Sequence, residues 1–280
     1  MKTGLVLEGG ALRALYSAGV LDVWMEEGIR VDALYGVSAG ALFGANLFSG
    51  QKGRALRYNK RFLRDKRYMS MYSLLTTGDY VGKKFAYYDI TTKYDIYDEA
   101  AFERSGGEFF ATVTNVRTGK AEHLQVKNVL KDMEILRATS SLPFVTRLVE
   151  IGGEKYLDGG VADSIPVKAC LARGFDKNIV ILTRPADYRK EPMKAGLVRL
   201  VYRRYPQFCR AMETRHEVYN AQAEEVNRLE KEGKIFVIRP ACALELSGLE
   251  KDPEKLQAVY DRGVQDGRAT LAALREYLKA

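Results

Sequence analysis

Residues 3–48 read TGLVLEGGALRALYSAGVLDVWMEEGIRVDALYGVSAGALFGANLF. The apolar run from Thr3 to Leu7 ends in Glu8-Gly9-Gly10, the pattern of a buried strand entering a glycine turn. Leu12, Leu15, Tyr16, Gly19, Val20 and Val23 then recur at helical spacing, and Gly28 stands where a helix C-terminus favours a left-handed residue. Val31 to Val37 reads as a second strand and Ala39 to Phe48 as a second helix. Strand, helix, strand, helix in so short a stretch predicts an α/β fold: a mostly parallel central sheet with crossover helices.

Further along, Tyr68 to Tyr97 carries seven of the seventeen tyrosines with little periodicity. It is expected to be an irregular insertion and a candidate lid or interfacial surface, since tyrosine suits a boundary between lipid and water. Glu108 to Val116 and Glu122 to Val126, joined near Thr118-Gly119, predict a hairpin, and Asn128 to Thr139 a helix. RLVEI-GG-EKYLD predicts a second hairpin that delivers Asp158 to a strand end. Lys177 to Thr183 and Lys234 to Ile238 read as buried strands. Phe208, Ala211, Met212, Val218, Tyr219, Val226 and Leu229 mark one face of a long amphipathic helix, and Pro253 to Leu278 reads as another helix. No repeat, low-complexity tract or linker interrupts the chain. One domain over residues 1–280 is expected, with 171–280 completing the sheet and adding helices.

The 46% hydrophobic and 29% charged content excludes disorder and fibrous repeats. Cys170, Cys209 and Cys242 lie far apart with no CxxC pair, against a disulfide framework or a zinc site; no metal and no cofactor is expected. The N-terminal apolar stretch is interrupted by Glu8 and Arg13, unlike a signal sequence, and no apolar run reaches membrane-spanning length. The reading is a cytoplasmic chain that meets a membrane, if at all, from its surface.

The net charge of +8 is clustered. Ser49 to Tyr68 holds eight Lys/Arg against one acid, and Arg184 to Arg215 nine against three. Such segments attract anionic lipid surfaces; the plainer alternative is a solvated helix face. Neither contains a nucleic-acid reading motif, so no nucleic acid is expected as a partner. The oligomeric state is left open.

Gly36-Val37-Ser38-Ala39-Gly40 is a G-x-S-x-G sequence between a predicted strand and a predicted helix. A serine on so sharp a turn has strained dihedrals, and side chains at the two glycine positions would collide. The following helix points its N-terminus at the hydroxyl and favours developing negative charge. Acyl transfer also needs donors for an oxyanion. The small residues Gly9, Gly10 and Ala11 allow backbone N–H groups close to a substrate, although a simple βα turn reads the same way. Adjacent glycines exclude the G-x-G-x-x-G dinucleotide fingerprint, and no Gly-Lys-Ser/Thr follows for a P-loop. Of the two histidines, His216 sits in the amphipathic helix and His123 in a polar hairpin strand, neither placed as a base. Asp158, followed by Gly159-Gly160 at a strand end, is the kind of turn that presents a carboxylate in a cleft; taken without the serine it reads rather as an ordinary turn.

Four ordered motifs in the first 170 residues resemble the patatin-like phospholipase family: EGGALRA at Glu8 to Ala14, GVSAG around Ser38, ATSSLP from Ala138 to Pro143, and DGG at Asp158 followed by Pro166 in SIPV. The resemblance implies a three-layer α/β sandwich and hydrolysis of acyl chains from glycerolipids by a Ser–Asp dyad without histidine. It carries over Ser38 as nucleophile, Asp158 as general base, and the Gly9, Gly10 and Ala11 amides as oxyanion donors. Arg13 takes the family's basic position, with Gly36, Gly40, Gly159 and Gly160 supporting. The partner implied is a lipid acyl ester. After residue 170 the resemblance weakens and is to bacterial members only. The family loop usually has glycine where this chain has Ala11 and Ala14, so a positive φ at either would add strain. An α/β-hydrolase triad is the rival enzyme, but only one strand precedes that of Ser38. A catalytically weak lipid-docking protein is the rival from another class, although Ser38 and Asp158 are both present.

Overall fold

The computed structural model describes residues 1–246 and 250–279. The chain opens with β1 (Thr3–Leu7), a 3-10 turn at Ala11–Ala14, α1 (Leu15–Glu26), β2 (Ala33–Val37) and α2 (Ala39–Ser49). Next come α3 (Arg54–Phe62), α4 (Met71–Thr77), a π-helix (Lys83–Tyr94), α5 (Glu99–Ser105), β3 (Glu108–Asn115) and β4 (Ala121–Gln125). After α6 (Met133–Thr139), the hairpin β5 (Val149–Ile151) and β6 (Glu154–Asp158) leads to α7 (Val167–Leu171) and β7 (Lys177–Ile181). The chain then runs through α8 (Ala195–Val201), α9 (Pro206–Glu213), α10 (Arg215–Lys231), β8 (Phe236–Ile238) and α11 (Pro253–Lys279).

The eight strands form one sheet in the order β5-β6-β3-β2-β1-β7-β8, with β4 also on β3. β3, β2, β1, β7 and β8 are parallel, and the two hairpins add antiparallel strands at one end. Because side chains alternate along a strand, each central strand feeds both faces. Leu5, Leu7, Leu34, Phe109, Ile179 and Ile181 pack into the layer holding α1, α2 and α11. Val6, Tyr35, Phe110 and Val180 face α7 and α10. This is the three-layer α/β arrangement expected.

α11 seals the first layer by backbone contact with α1. A Cβ on Gly19 would lie 2.2 Å from Tyr260 O, and one on Gly263 2.0 Å from Tyr16 O. Two hydroxyl–carboxylate bonds flank the crossing, Tyr16 Oη to Asp266 at 2.9 Å and Tyr260 Oη to Asp22 at 2.6 Å.

Three expectations differ from what the chain does. Tyr68 to Tyr97 is not irregular: α4 is capped by Ser70 Oγ, and the π-helix ends in an i→i+5 bond from Asp95 N to Ile90 O. A π-helix turns more widely than 3.6 residues, and its buried Phe85 and Ile90 stand five residues apart, a spacing that an α-helical face does not repeat. Asn128 to Asp132 stays out of α6, because Asp132 accepts from the N–H groups of Lys127 and Asn128 while Asn128 Oδ1 accepts from Lys131 N. The long helix is two, broken at Thr214. Phe208 and Met212 pack with Val116 and Leu157, whereas Tyr219, Val226 and Leu229 pack under the central sheet, and one straight rod cannot serve both.

Candidate active site

β3 acts as the ruler that assembles the site. β2 runs parallel along one edge of β3 and ends at Val37 opposite Thr112. β6 takes over that same edge antiparallel, with Asp158 opposite Val113, while β4 occupies the other edge. The C-terminal ends of β2 and β6 therefore meet head to head, one register step apart. Ser38 Oγ donates to Asp158 Oδ2 at 2.6 Å.

Ser38 has φ 54° and ψ −131°, a sparsely populated conformation that costs about 1–3 kcal/mol and must be held by its surroundings. Its N–H donates to Thr139 Oγ1 at 2.9 Å, and Thr139 Oγ1 in turn donates to Thr112 O at 2.5 Å. Thr139 thus pins the elbow from the ATSSLP segment. Gly36 and Gly40 are required by close approach: a Cβ would lie 2.5 Å from Ala41 Cα and 2.5 Å from Glu8 O, respectively.

Asp158 is buried and held on both oxygens, since Gly160 N donates to Oδ1 at 2.8 Å. A Cβ on Gly159 would stand 2.0 Å from Thr112 O, and one on Gly160 3.0 Å from Asp158 Oδ1. Burial pushes the Asp158 carboxyl above its ordinary value, opposed by the Ser38 hydrogen bond, the Arg215 charge, the Gly160 amide and the Lys190 charge. Both histidines are engaged elsewhere. His123 Nδ1 lies 3.0 Å from Thr112 Oγ1 and Nε2 3.7 Å from Asp163, while His216 Nδ1 lies 3.1 Å from Glu213 O.

The loop after β1 carries Gly9, Gly10 and Ala11, whose N–H groups have no acceptor among the described residues. The buried Glu8 carboxylate fixes the loop by accepting from Thr183 N (2.6 Å), Thr183 Oγ1 (3.2 Å) and Tyr219 Oη (2.8 Å). Gly9 packs on the elbow, where a Cβ would be 3.0 Å from Ser38 Cβ. Ala11 has φ 49° and is strained; Ala14 has φ −64° and is not. Ala11→Gly is therefore expected to raise unfolding stability in denaturant by up to about 1 kcal/mol, relief of the left-handed alanine outweighing the looser unfolded chain. Ala14→Gly is expected to lower it by about 0.5–1 kcal/mol. Equal effects at the two positions would contradict this account of the loop.

Two cavities of opposite chemistry open on Ser38. The apolar one, about 130 Å3, is lined by Leu12, Leu42, Phe43, Ile90, Met133 and Leu136 among others. Tyr68 and Tyr87 form part of its wall, their hydroxyls bonded to Asn59 and Ser140, so these two tyrosines are structural rather than parts of a lid. The polar one, about 150 Å3, is lined by Glu8, Arg13, Asp158, Arg184, Lys190 and Arg215 together with the glycine loop.

The basic stretches divide accordingly. In the first, Arg54 is buried against Tyr58 and Tyr97, Arg57 pairs with Asp95 and Arg67 with Asp65, and Lys52 with Glu26. Arg61, Arg64 and Lys66 have no carboxylate partner among the described residues. In the second, Arg184, Lys190 and Arg215 enter the cavity beside Ser38. Sequence reading did not identify these three as site residues; the local excess of charge was their only signal.

A serine at a strained strand-to-helix turn, bonded to a buried aspartate at the C-terminal edge of a parallel sheet, places the protein in the class of α/β proteins with a nucleophile elbow. The family model described as patatin-like phospholipase matches residues 5–171, and the chain belongs to that family. A second model, a domain of unknown function (DUF6363), matches residues 205–279, which span α9, α10, β8 and α11. The chain is similar to the uncharacterized protein YjjU of Escherichia coli K12, 27% identical over 194 residues, covering 68% of this chain and 54% of that one. It is also similar to lysophospholipase NTE1 of Candida glabrata, 25% identical over 289 residues, covering 98% of this chain and 16% of that protein. The Saccharomyces cerevisiae lysophospholipase NTE1 is 26% identical over 288 residues, with 97% and 16% covered. The chain therefore spans about half the length of the bacterial relative and about a sixth of the yeast ones. Among solved structures, VipD from Legionella pneumophila aligns with TM-score 0.49 and 11% identity over 97% of this chain and 67% of that one. No helix among the described residues is long and apolar enough to cross a membrane.

Proposed function

We propose that the chain hydrolyses the acyl ester of a lipid, with Ser38 as nucleophile and Asp158 as its base. The observation that carries this reading is the 2.6 Å bond between Ser38 Oγ and Asp158 Oδ2 at the junction of an apolar and a charged cavity. The acyl chain enters the apolar cavity and the alcohol portion lies in the polar one. Ser38 Oγ attacks the ester carbonyl as Asp158 accepts its proton, and the Gly9, Gly10 and Ala11 amides receive the oxyanion. Asp158 then returns the proton to the leaving alcohol, which leaves the acyl group on Ser38 Oγ; it later deprotonates the water that attacks this acyl ester and hands that proton back to Ser38 Oγ as the fatty acid departs. The family and the two relatives named as lysophospholipases support a lipid ester over other acyl substrates. The exposed Leu142, which lines both cavities, gives the site an apolar rim suited to a lipid.

Incubation with a mixed lipid extract followed by mass spectrometry of the products tests the reading. Free fatty acids and the matching deacylated lipids are expected with the wild-type protein and not with Ser38→Ala. Equal release by both proteins, or none by either, contradicts it.

A further inference from the structure

The polar cavity collects Arg13 from the turn after β1, Arg184 and Lys190 from the loop after β7, and Arg215 from the start of α10, yet none of the four forms an ion pair among the described residues. Its two carboxylates are already committed, Glu8 to Thr183 and Tyr219, Asp158 to Ser38 and Gly160. Arg13 Nε is buried without a hydrogen-bond partner, which is costly for a charged group unless something else supplies an acceptor.

The cations are also held in place. Arg184 stacks 4.1 Å from the Tyr188 ring centroid and Lys190 4.6 Å from that of Tyr219, and those two rings meet edge to face at 5.7 Å. Lys190 N donates to Asn220 Oδ1 at 2.8 Å and Asn220 Nδ2 returns a bond to Lys190 O at 3.2 Å, which ties this loop to α10. Arg215 is anchored by Nε to Gly160 O at 2.6 Å, directly behind Asp158. Burial and the nearby Arg215, Arg184 and Arg13 pull the Lys190 ammonium down to about 8, against the opposing pull of Glu8.

Four cations facing two occupied carboxylates leave an excess of positive charge that a bound dianion would neutralise. We propose that this cavity is a headgroup subsite for a phosphate monoester, so that the preferred substrate is a monoacylglycerol phosphate without a cationic substituent. The substrate assignment rests on the hydrolase reading above; the subsite itself does not. A phosphate monoester carries nearly two negative charges near neutral pH, its second proton leaving at about pH 6, and offers three acceptor oxygens to the guanidinium and ammonium donors. A phosphocholine headgroup brings one negative charge and a fixed cation, which the same four side chains repel.

Titration calorimetry with non-hydrolysable ether lipids separates binding from turnover. The intact protein is titrated with 1-O-octyl-glycerol 3-phosphate, with its phosphocholine counterpart, and with inorganic phosphate. The phosphate monoester lipid is expected to bind about tenfold or more tightly than the phosphocholine, the scale of one charge-assisted hydrogen bond. Arg184→Gln and Lys190→Gln should each shrink that ratio, and Lys190→Arg should largely keep it. Equal affinity for the two lipids overturns the proposal, as does a ratio unchanged in both Gln variants. Inorganic phosphate binding as tightly as the octyl lipid would make the cavity a free-phosphate site instead, which also overturns it. If the Gln variants do not fold, the wild-type ratio decides alone. Discrimination between the ether lipids without turnover of any ester would remove the hydrolase reading and leave the subsite standing.

Discussion

Asp158→Asn is expected to lower turnover of a short-chain chromogenic ester by about 10²- to 10⁴-fold, the usual loss when a positioned general base is removed. The substitution keeps the shape and leaves Oδ1 able to accept from Gly160 N, but it cannot take the Ser38 proton. A carboxylate is a weak base for a hydroxyl. In the proposed mechanism proton transfer therefore accompanies attack on the carbonyl, with the loop amides receiving charge at the same moment. His123→Ala and His216→Ala are expected to retain activity, because neither ring reaches Ser38 or Asp158. Loss of activity in folded His216→Ala, together with near-normal Asp158→Asn, would replace the dyad with a histidine-dependent mechanism.

The same residue ties activity to pH and to stability. Burial raises the folded-state Asp158 carboxyl above its ordinary 3.8, so the acid limb of kcat/KM should fall above that value. A carboxyl whose folded value is raised favours folding fully below 3.8, and that contribution is lost as pH rises through the folded value. At neutral pH the raised carboxyl therefore stabilises the fold less than it does below 3.8. Asp158→Asn should be at least as stable as the wild type at pH 7, and any advantage should vanish below pH 3.8.

Gly263→Val is expected to destabilise the protein by about 3 kcal/mol or more, at the upper end of overpacking effects, because the obstacle is backbone. The new Cβ would start 2.0 Å from Tyr16 O, and Gly19→Val would meet Tyr260 O at 2.2 Å from the other side. Neither helix can yield without lifting Leu256, Val259 and Leu274 of α11 off a layer shared with Leu5, Leu7 and Trp24. Trp24, the sole tryptophan and fully buried on α1, reports this unfolding by its own fluorescence. A midpoint in denaturant equal to that of the wild type would show that α11 does not pack on α1 as described.

The parts of the fold that could be read in the sequence are those whose local pattern and final environment agree. β1, α1, β2 and α2 were legible because Leu5, Leu34 and their neighbours are buried on both faces of a parallel sheet, and Gly28 ends α1 where a left-handed residue is wanted. RLVEI-GG-EKYLD was legible because both turn glycines take positive φ, at 60° and 83°. The π-helix was not, since its width breaks the α-helical period. The break at Thr214 was not, because it serves two separate cores rather than any local preference. At the site, Ser38 and Asp158 stood out through their glycine neighbours, and β3 joins them through a register that no local pattern encodes. Arg184, Lys190 and Arg215 carried only a charge excess, which a solvated surface would show equally.

The central claim is that Ser38 is the activated nucleophile, and labelling with a fluorophosphonate probe followed by peptide mass spectrometry tests it most directly. The strained elbow, the start of α2 and the bond to Asp158 predict a single covalent adduct on Ser38. The adduct should be absent in Ser38→Ala and strongly slowed in Asp158→Asn. An adduct on Ser140 or Ser141 instead, or no adduct on the folded wild-type protein, would contradict the account.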